Sequence, residues 1–186
     1  MVQTIMAGVH TIADVLTPAE CDAFIGETEA GGYDAAPITT ARGPKMMPDV
    51  RNNSRHMRDD AELAANLWRK VSADLPMMFR GWQAIGLNER FRFYRYDAGE
   101  YFAPHLDGYY ERDNGGRSHL TFMIYLNDDY EGGETAIRYT RIKPKRGMAL
   151  AFNHELLHEG KPVTKGRKYV LRSDVMFNLP GRFTQS

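Results

Sequence analysis

The sequence predicts a mainly β chain with flanking helices, on three observations. Short runs rich in aromatic and β-branched residues fill its second half: Phe91–Tyr96, Leu120–Leu126, Thr135–Tyr139, Met148–Phe152 and Tyr169–Phe177. Turn-forming clusters separate them, namely Asn114-Gly115-Gly116, Glu131-Gly132-Gly133, Lys145-Arg146-Gly147 and Lys165-Gly166. Two helical patterns come first. Many short strands between turns predict a sandwich or barrel. Helices ahead of strands are expected to brace one outer face of a sheet.

The first helix is expected to start at Thr17-Pro18-Ala19-Glu20. Thr17 can cap it, Pro18 suits the first helical position and Glu20 completes a capping box. It should run to about Glu29 and stop at Gly31-Gly32. A second helix is expected from Asp59-Asp60, with Leu63, Leu67, Trp68, Val71 and Leu75 as its apolar stripe. Between them, Thr40–Arg58 carries two prolines and five arginines or lysines. It reads as a long basic surface loop with an extended stretch near Asp49-Val50, and a substrate lid is its functional reading.

Two strands can be assigned faces, because side chains alternate along a strand. In His119–Leu126, Leu120, Phe122, Ile124 and Leu126 share one face, and His119, Thr121, Met123 and Tyr125 the other. In Lys168–Phe177, Tyr169, Leu171, Val175 and Phe177 share one face, and Lys168, Arg172 and Asp174 the other. The apolar faces suit contact with helices. The polar faces suit a cavity wall, His119 included. Phe91, Phe93, Phe122 and Trp68 are read as packing, and His10 and His56 as surface groups outside the strands.

Composition narrows the classes. The chain has 186 residues, 42% of them apolar, which suits one domain over residues 1–186, with helical support over about 17–80 and the strands over about 88–180. Lys+Arg and Asp+Glu both number 24, so no nucleic-acid footprint is evident. The one cysteine, Cys21, rules out an internal disulfide and a Cys-rich metal site. With no signal-like leader and no long apolar run, the expectation is a cytoplasmic chain without a membrane segment.

Any metal must therefore sit on His, Asp or Glu. His105 and Asp107, two apart on an extended stretch, project to the same side. Two histidines and one carboxylate occupy one face of an octahedral iron and leave the rest open. The third ligand has to come from a distant strand, and His158 is the candidate, with His154 its rival. Ten residues past His158, Lys168 can bring a cation to the same cavity and pair with the distal carboxylate of a chelated dicarboxylate.

The run Tyr96-x-x-Gly99-x-x-Phe102-x-Pro104-His105-x-Asp107 resembles the metal motif of the prolyl 4-hydroxylase-like 2-oxoglutarate/Fe(II) dioxygenases. So does Arg117-x-x-x-Thr121-x-x-x-Tyr125-Leu126-Asn127 with Glu131-Gly132-Gly133-Glu134-Thr135 after it, and so does His158 with Pro162 and Lys168. The resemblance covers residues 90–178. It implies a double-stranded β-helix (jelly-roll) with the N-terminal helices packed on the major sheet. It implies Fe(II), 2-oxoglutarate and O2, with ascorbate as a reductant, and hydroxylation of a C–H bond as 2-oxoglutarate becomes succinate and CO2. It favours His158 over His154 and gives Tyr96 and Thr121 as 2-oxoglutarate contacts. The carboxylate at Asp107 favours hydroxylation over halogenation. Arg51, Arg117 and Arg172 are substrate-side candidates. The Arg51-Asn52-Asn53-Ser54-Arg55 run departs from the Arg-plus-small-residue pattern of peptidyl prolyl hydroxylases, so the substrate is left as a peptidyl residue, proline among the options, or a small molecule. Alternative readings are an oxidative demethylase of the same chemistry and a cupin-like metal isomerase or sensor. Neither explains Lys168 as well.

Overall fold

The computed structural model describes residues 1–40 and 42–180. Ala41, within the predicted loop, lies outside them. Both predicted helices form. The first, α1, spans Pro18–Gly31, with the Thr17/Glu20 capping box in place and Gly32 at φ 81° closing it. The second, α2, spans Ala61–Val71, capped by Asp60, whose carboxylate accepts from Leu63 N at 2.8 Å. Leu75 falls beyond α2, after a 3₁₀ turn at Ser72–Asp74, yet it still joins the core.

Two antiparallel sheets make up a jelly-roll. The major sheet runs, edge to edge, through Val2–Met6, Val9–Ile12, Ala149–Asn153, Arg117–Tyr125, Lys168–Asn178, Arg90–Tyr96, Ser54–Asp59 and Asp34–Ala35. Trp82–Leu87 pairs with the far end of Lys168–Asn178. The minor sheet runs Phe102–His105, His158–Gly160, Thr135–Ile137, Thr140–Ile142.

Alternation divides the core as the pattern requires. Leu120, Phe122, Ile124, Leu126, Leu171 and Val175 pack with Phe24 of α1 and Leu67 of α2 on the outer face of the major sheet. Tyr94, Tyr96, Tyr125, Phe152 and Val170 turn inward and meet Ile137 and Ile142 of the minor sheet. The polar and aromatic inner faces thus enclose the space between the sheets.

Four expectations are corrected. Thr40–Arg58 is not a free surface loop: Ile38–Thr40 pairs with Gly43–Lys45, and Ser54–Asp59 is a strand of the major sheet. Its arginines are not all solvated, since Arg51 is only 4% exposed. His10 and His56 both lie on strands, and His56 Nδ1 bonds Gly32 O at 2.9 Å. His119 is not a cavity-wall residue. The ladder with Lys168–Asn178 slips between Ser118 and Leu120, and such a bulge reverses the facing of the residue beside it. His119 therefore sits among Phe79, Trp82 and Phe177, its ring 5.1 to 5.4 Å from theirs, and Ser118 points inward instead.

Candidate metal and co-substrate site

The strands Phe102–His105 and His158–Gly160 pair so that His105 stands directly opposite His158. Asp107 follows two residues after His105, its N–H donating to His154 O at 3.2 Å. One donor atom from each of His105, Asp107 and His158 lies within 4.8 Å of the others. Asp107 Oδ1 is 3.8 Å from His105 Nε2, and Oδ2 is 3.4 Å from His158 Nε2.

The imidazoles are oriented by the backbone. His105 Nδ1–H donates to Ala103 O at 2.8 Å, and His158 Nδ1–H to Leu156 O at 2.9 Å. A carbonyl can only accept, so both Nε2 atoms carry their lone pairs toward the shared centre. Phe102 stacks on His105 at 3.5 Å between ring centres and Phe152 meets His158 edge-on at 4.5 Å. Burial, with the neighbouring His158, pushes His105 down to about 4, and burial lowers His158 too, so both rings are neutral as ligation needs. Burial opposes ionisation of Asp107, but the Arg172 guanidinium, with the Thr121 hydroxyl, outweighs it and holds the carboxyl well below the usual carboxylate range. Two neutral imidazoles and one ionised carboxylate fit Fe(II).

Asp107 is held from behind. Arg172 Nη2 lies 2.9 Å from Oδ1, and Thr121 Oγ1–H donates to Oδ2. Because Thr121 spends its proton there, His154 Nδ1–H must be the donor in their 3.0 Å bond. His154 Nε2 then accepts from Ser118 Oγ at 3.0 Å. His154 thus lies behind the carboxylate rather than in the cluster. Thr121, expected against 2-oxoglutarate, faces the chamber but gives its hydroxyl proton to Asp107.

Tyr96, Thr135, Phe152, Lys168 and Val170 help line a narrow inner chamber beside the three donors. Lys168 Nζ is buried there. It donates to Gly133 O at 2.6 Å and lies 5.2 Å from the Tyr96 ring centre. Burial pushes Lys168 down to about 7, with Glu134 opposing, and burial pushes the Tyr96 phenol up to about 12. The Glu131-Gly132-Gly133 turn finds its reason at this point. Gly133 has φ +66°, and a Cβ on it would sit 3.0 Å from Val163 Cγ2 and 3.3 Å from Lys168 Cδ. Arg167 points away, bonding Asp97 on the outside, as alternation predicts.

A second, larger chamber of about 380 Å³ opens on the other side of the cluster, sharing Tyr94, Phe102, His105, Asp107 and Arg172 with the first. Arg51 and Arg172 line it, but Arg117 does not: it pairs with Glu111 at 2.9 Å and stacks on Tyr109 at 4.0 Å. Tyr94, Arg92 and Arg55, which the sequence does not single out, also line this chamber. Alternation could have found the first two, since Arg92 and Tyr94 share the face of Tyr96.

A jelly-roll with a two-histidine, one-carboxylate cluster beside a buried lysine defines a class, the non-haem iron oxygenases that consume 2-oxoglutarate. Residues 91–173 match the model of the 2OG-Fe(II) oxygenase superfamily, and the chain is similar to the prolyl 4-hydroxylase-like 2-oxoglutarate/Fe(II) dioxygenases. It is a hydroxylase that uses Fe(II), 2-oxoglutarate and O2. A PKHD-type hydroxylase of Paraburkholderia phymatum is 28% identical over 170 residues, covering 85% of this chain and 74% of that one. Prolyl 4-hydroxylase 1 of Arabidopsis thaliana is 24% identical over 185 residues, covering 84% and 64%. Among solved structures, the viral collagen prolyl hydroxylase of Paramecium Bursaria Chlorella virus-1 superposes with a TM-score of 0.65 at 22% identity, over 90% of this chain and 95% of that one. A Trichoplax adhaerens prolyl hydroxylase bound to a hypoxia inducible factor peptide gives 0.66 at 16% identity, over 96% and 87%. Likeness at these identities concerns the fold. No helix among the described residues is long and apolar enough to cross a membrane.

Proposed function

We propose that His105, Asp107 and His158 hold the iron, that Lys168 and Tyr96 hold 2-oxoglutarate in the inner chamber, and that the molecule to be hydroxylated enters the outer chamber. The observation that carries this reading is the convergence of two backbone-oriented Nε2 atoms and one carboxylate between the two chambers. The bound iron would supply the oxidising chemistry: decarboxylation of 2-oxoglutarate and insertion of oxygen into a C–H bond.

The chain's own residues do the rest. Lys168 supplies the ammonium that pairs with the distal carboxylate of 2-oxoglutarate, in a site where an unpaired charge is costly. Tyr96 offers a neutral hydroxyl beside it. Phe102 and Phe152 pack on the two imidazoles and give the inner chamber apolar walls. Arg172 and Thr121 fix which carboxylate oxygen of Asp107 faces the histidines.

The substrate class is a peptidyl residue, proline among them, or a small molecule. Ascorbate would serve as reductant, the single cysteine suits a cytoplasmic setting, and residues 1–186 act as one domain. The test is release of CO2 and succinate from 2-oxoglutarate in the presence of Fe(II). His105→Ala and Asp107→Ala should abolish it while leaving the circular dichroism spectrum unchanged. Normal turnover in either variant would overturn the metal assignment.

A further inference from the structure

The outer chamber is electropositive in a way that hydroxylation does not require. Four guanidiniums line it, those of Arg51, Arg55, Arg92 and Arg172, against two carboxylates, Asp107 and Asp174. The carboxylates are already engaged: Asp107 by Arg172 at 2.9 Å, and Asp174 by Arg92 at 3.3 Å and Arg172 at 3.4 Å. Arg51 and Arg55 form no ion pair among the described residues.

Arg51 is built into place. Its guanidinium lies 4.3 Å from the ring centre of Tyr94 and 4.4 Å from that of Phe102, and its Nε donates to Asn53 Oδ1 at 2.7 Å. Asn53 is itself buried and donates to Ser54 O at 2.9 Å. Yet Arg51 Nη2 is buried without any hydrogen-bond partner, and so is Nε of Arg172. A buried, charged donor left unmade is costly, and an anion or a water in the chamber would complete it. The field has a second signature. Burial opposes ionisation of the Tyr94 phenol, but Arg51, Arg172 and Arg92 outweigh it and bring the phenol down to about 7.

We propose that the outer chamber is an anion subsite, in which Arg51, with Arg55 at its side, binds a carboxylate carried by the substrate itself. The inference rests on the placement of iron and 2-oxoglutarate given above. It narrows the substrate to a molecule with a carboxylate within reach of the C–H bond attacked, and it makes a neutral prolyl residue alone an incomplete fit. The planar guanidinium fork matches a carboxylate with two parallel hydrogen bonds, which a lysine in the same place would not supply.

The experiment is a thermal-shift titration of the Fe(II)-loaded protein, kept anaerobic and saturated with 2-oxoglutarate so that Lys168 is already occupied. The probes are propionate and its uncharged isostere propionamide. Propionate should raise the unfolding temperature with saturation and propionamide should not. Arg51→Gln should weaken propionate at least about tenfold, the scale of a lost charge-assisted contact. Arg55→Gln, at a half-buried position, provides a second variant should the first fail to fold. Equal responses to propionate and propionamide, or a propionate response untouched by both substitutions, would overturn the proposal. Failure of 2-oxoglutarate itself to shift the unfolding temperature would instead overturn the reading on which it rests. A capped Gly-Glu-Gly peptide separates the sources: a response matching that of propionate supports an acidic peptide, and a response to propionate alone supports a free acid.

Discussion

Replacing Lys168 with Met tests how the fold pairs a buried cation with 2-oxoglutarate. The side chain is 3% exposed and its ammonium is brought from 10.5 down to about 7 by burial. A tenfold change in a protonation equilibrium is about 1.4 kcal/mol, so keeping the ammonium in the chamber without 2-oxoglutarate costs on the order of 5 kcal/mol. The folded value lies below the unfolded one. Between about 7 and 10.5 the unfolded chain therefore binds more protons, and stability of the protein without 2-oxoglutarate should rise with pH across that window. Lys168→Met should raise the unfolding temperature of the 2-oxoglutarate-free protein at pH 7. Binding of 2-oxoglutarate runs the other way. Only the ammonium pairs with the carboxylate, so above about 7 binding takes up a proton and Kd rises by up to about tenfold per pH unit. Met removes a pairing worth about 2–5 kcal/mol, which predicts binding weaker by roughly 30-fold or more and flat with pH. Anaerobic calorimetry of the Fe(II) protein, in buffers of different ionisation enthalpy, counts the proton directly. A wild-type Kd independent of pH with no proton uptake, or a Met variant that binds as wild type does, would refute the reasoning.

Other residues give equally direct outcomes. Thr121→Val removes the hydroxyl that Asp107 and His154 share, and should lower iron affinity about 10- to 100-fold, read by competition with a chelator. Gly133→Ala forces a Cβ at φ +66° against Val163 and Lys168, and should cost about 1–3 kcal/mol in urea unfolding while raising the KM for 2-oxoglutarate. His154→Ala should keep iron stoichiometry at wild-type level while weakening its affinity, whereas His158→Ala should lose the metal, as atomic absorption of the dialysed variants would report.

What the sequence makes legible is local or strictly periodic. The capping box at Thr17 and Glu20 involves four consecutive residues, and it forms as expected. Period-2 alternation sets Lys168 and Arg172 on one face and Leu171 and Val175 on the other, and it survives because that strand is ordered by neighbours on both sides. The same rule fails at His119, because one slipped residue between Ser118 and Leu120 is invisible in the side-chain pattern. The two N-terminal strands, Val2–Met6 at the edge of the major sheet and Val9–Ile12 beside it, escape it too. They are short, and pairing holds them: Val9–Ile12 pairs with Ala149–Asn153, and Val2–Met6 pairs with Val9–Ile12 in turn. Arg51 resembles a loop cation in sequence because its burial depends on Tyr94 and Phe102, which come from two other strands. Local pattern carries no information on such a meeting.

The most direct measurement is an anaerobic titration of the metal-free protein with Fe(II) and then 2-oxoglutarate, following the visible charge-transfer band of the chelated 2-oxoacid. The cluster of His105, Asp107 and His158 predicts that the band appears in wild type, persists in His154→Ala and is lost in His158→Ala. Iron bound without the band in wild type, or a band that survives His158→Ala, would contradict it.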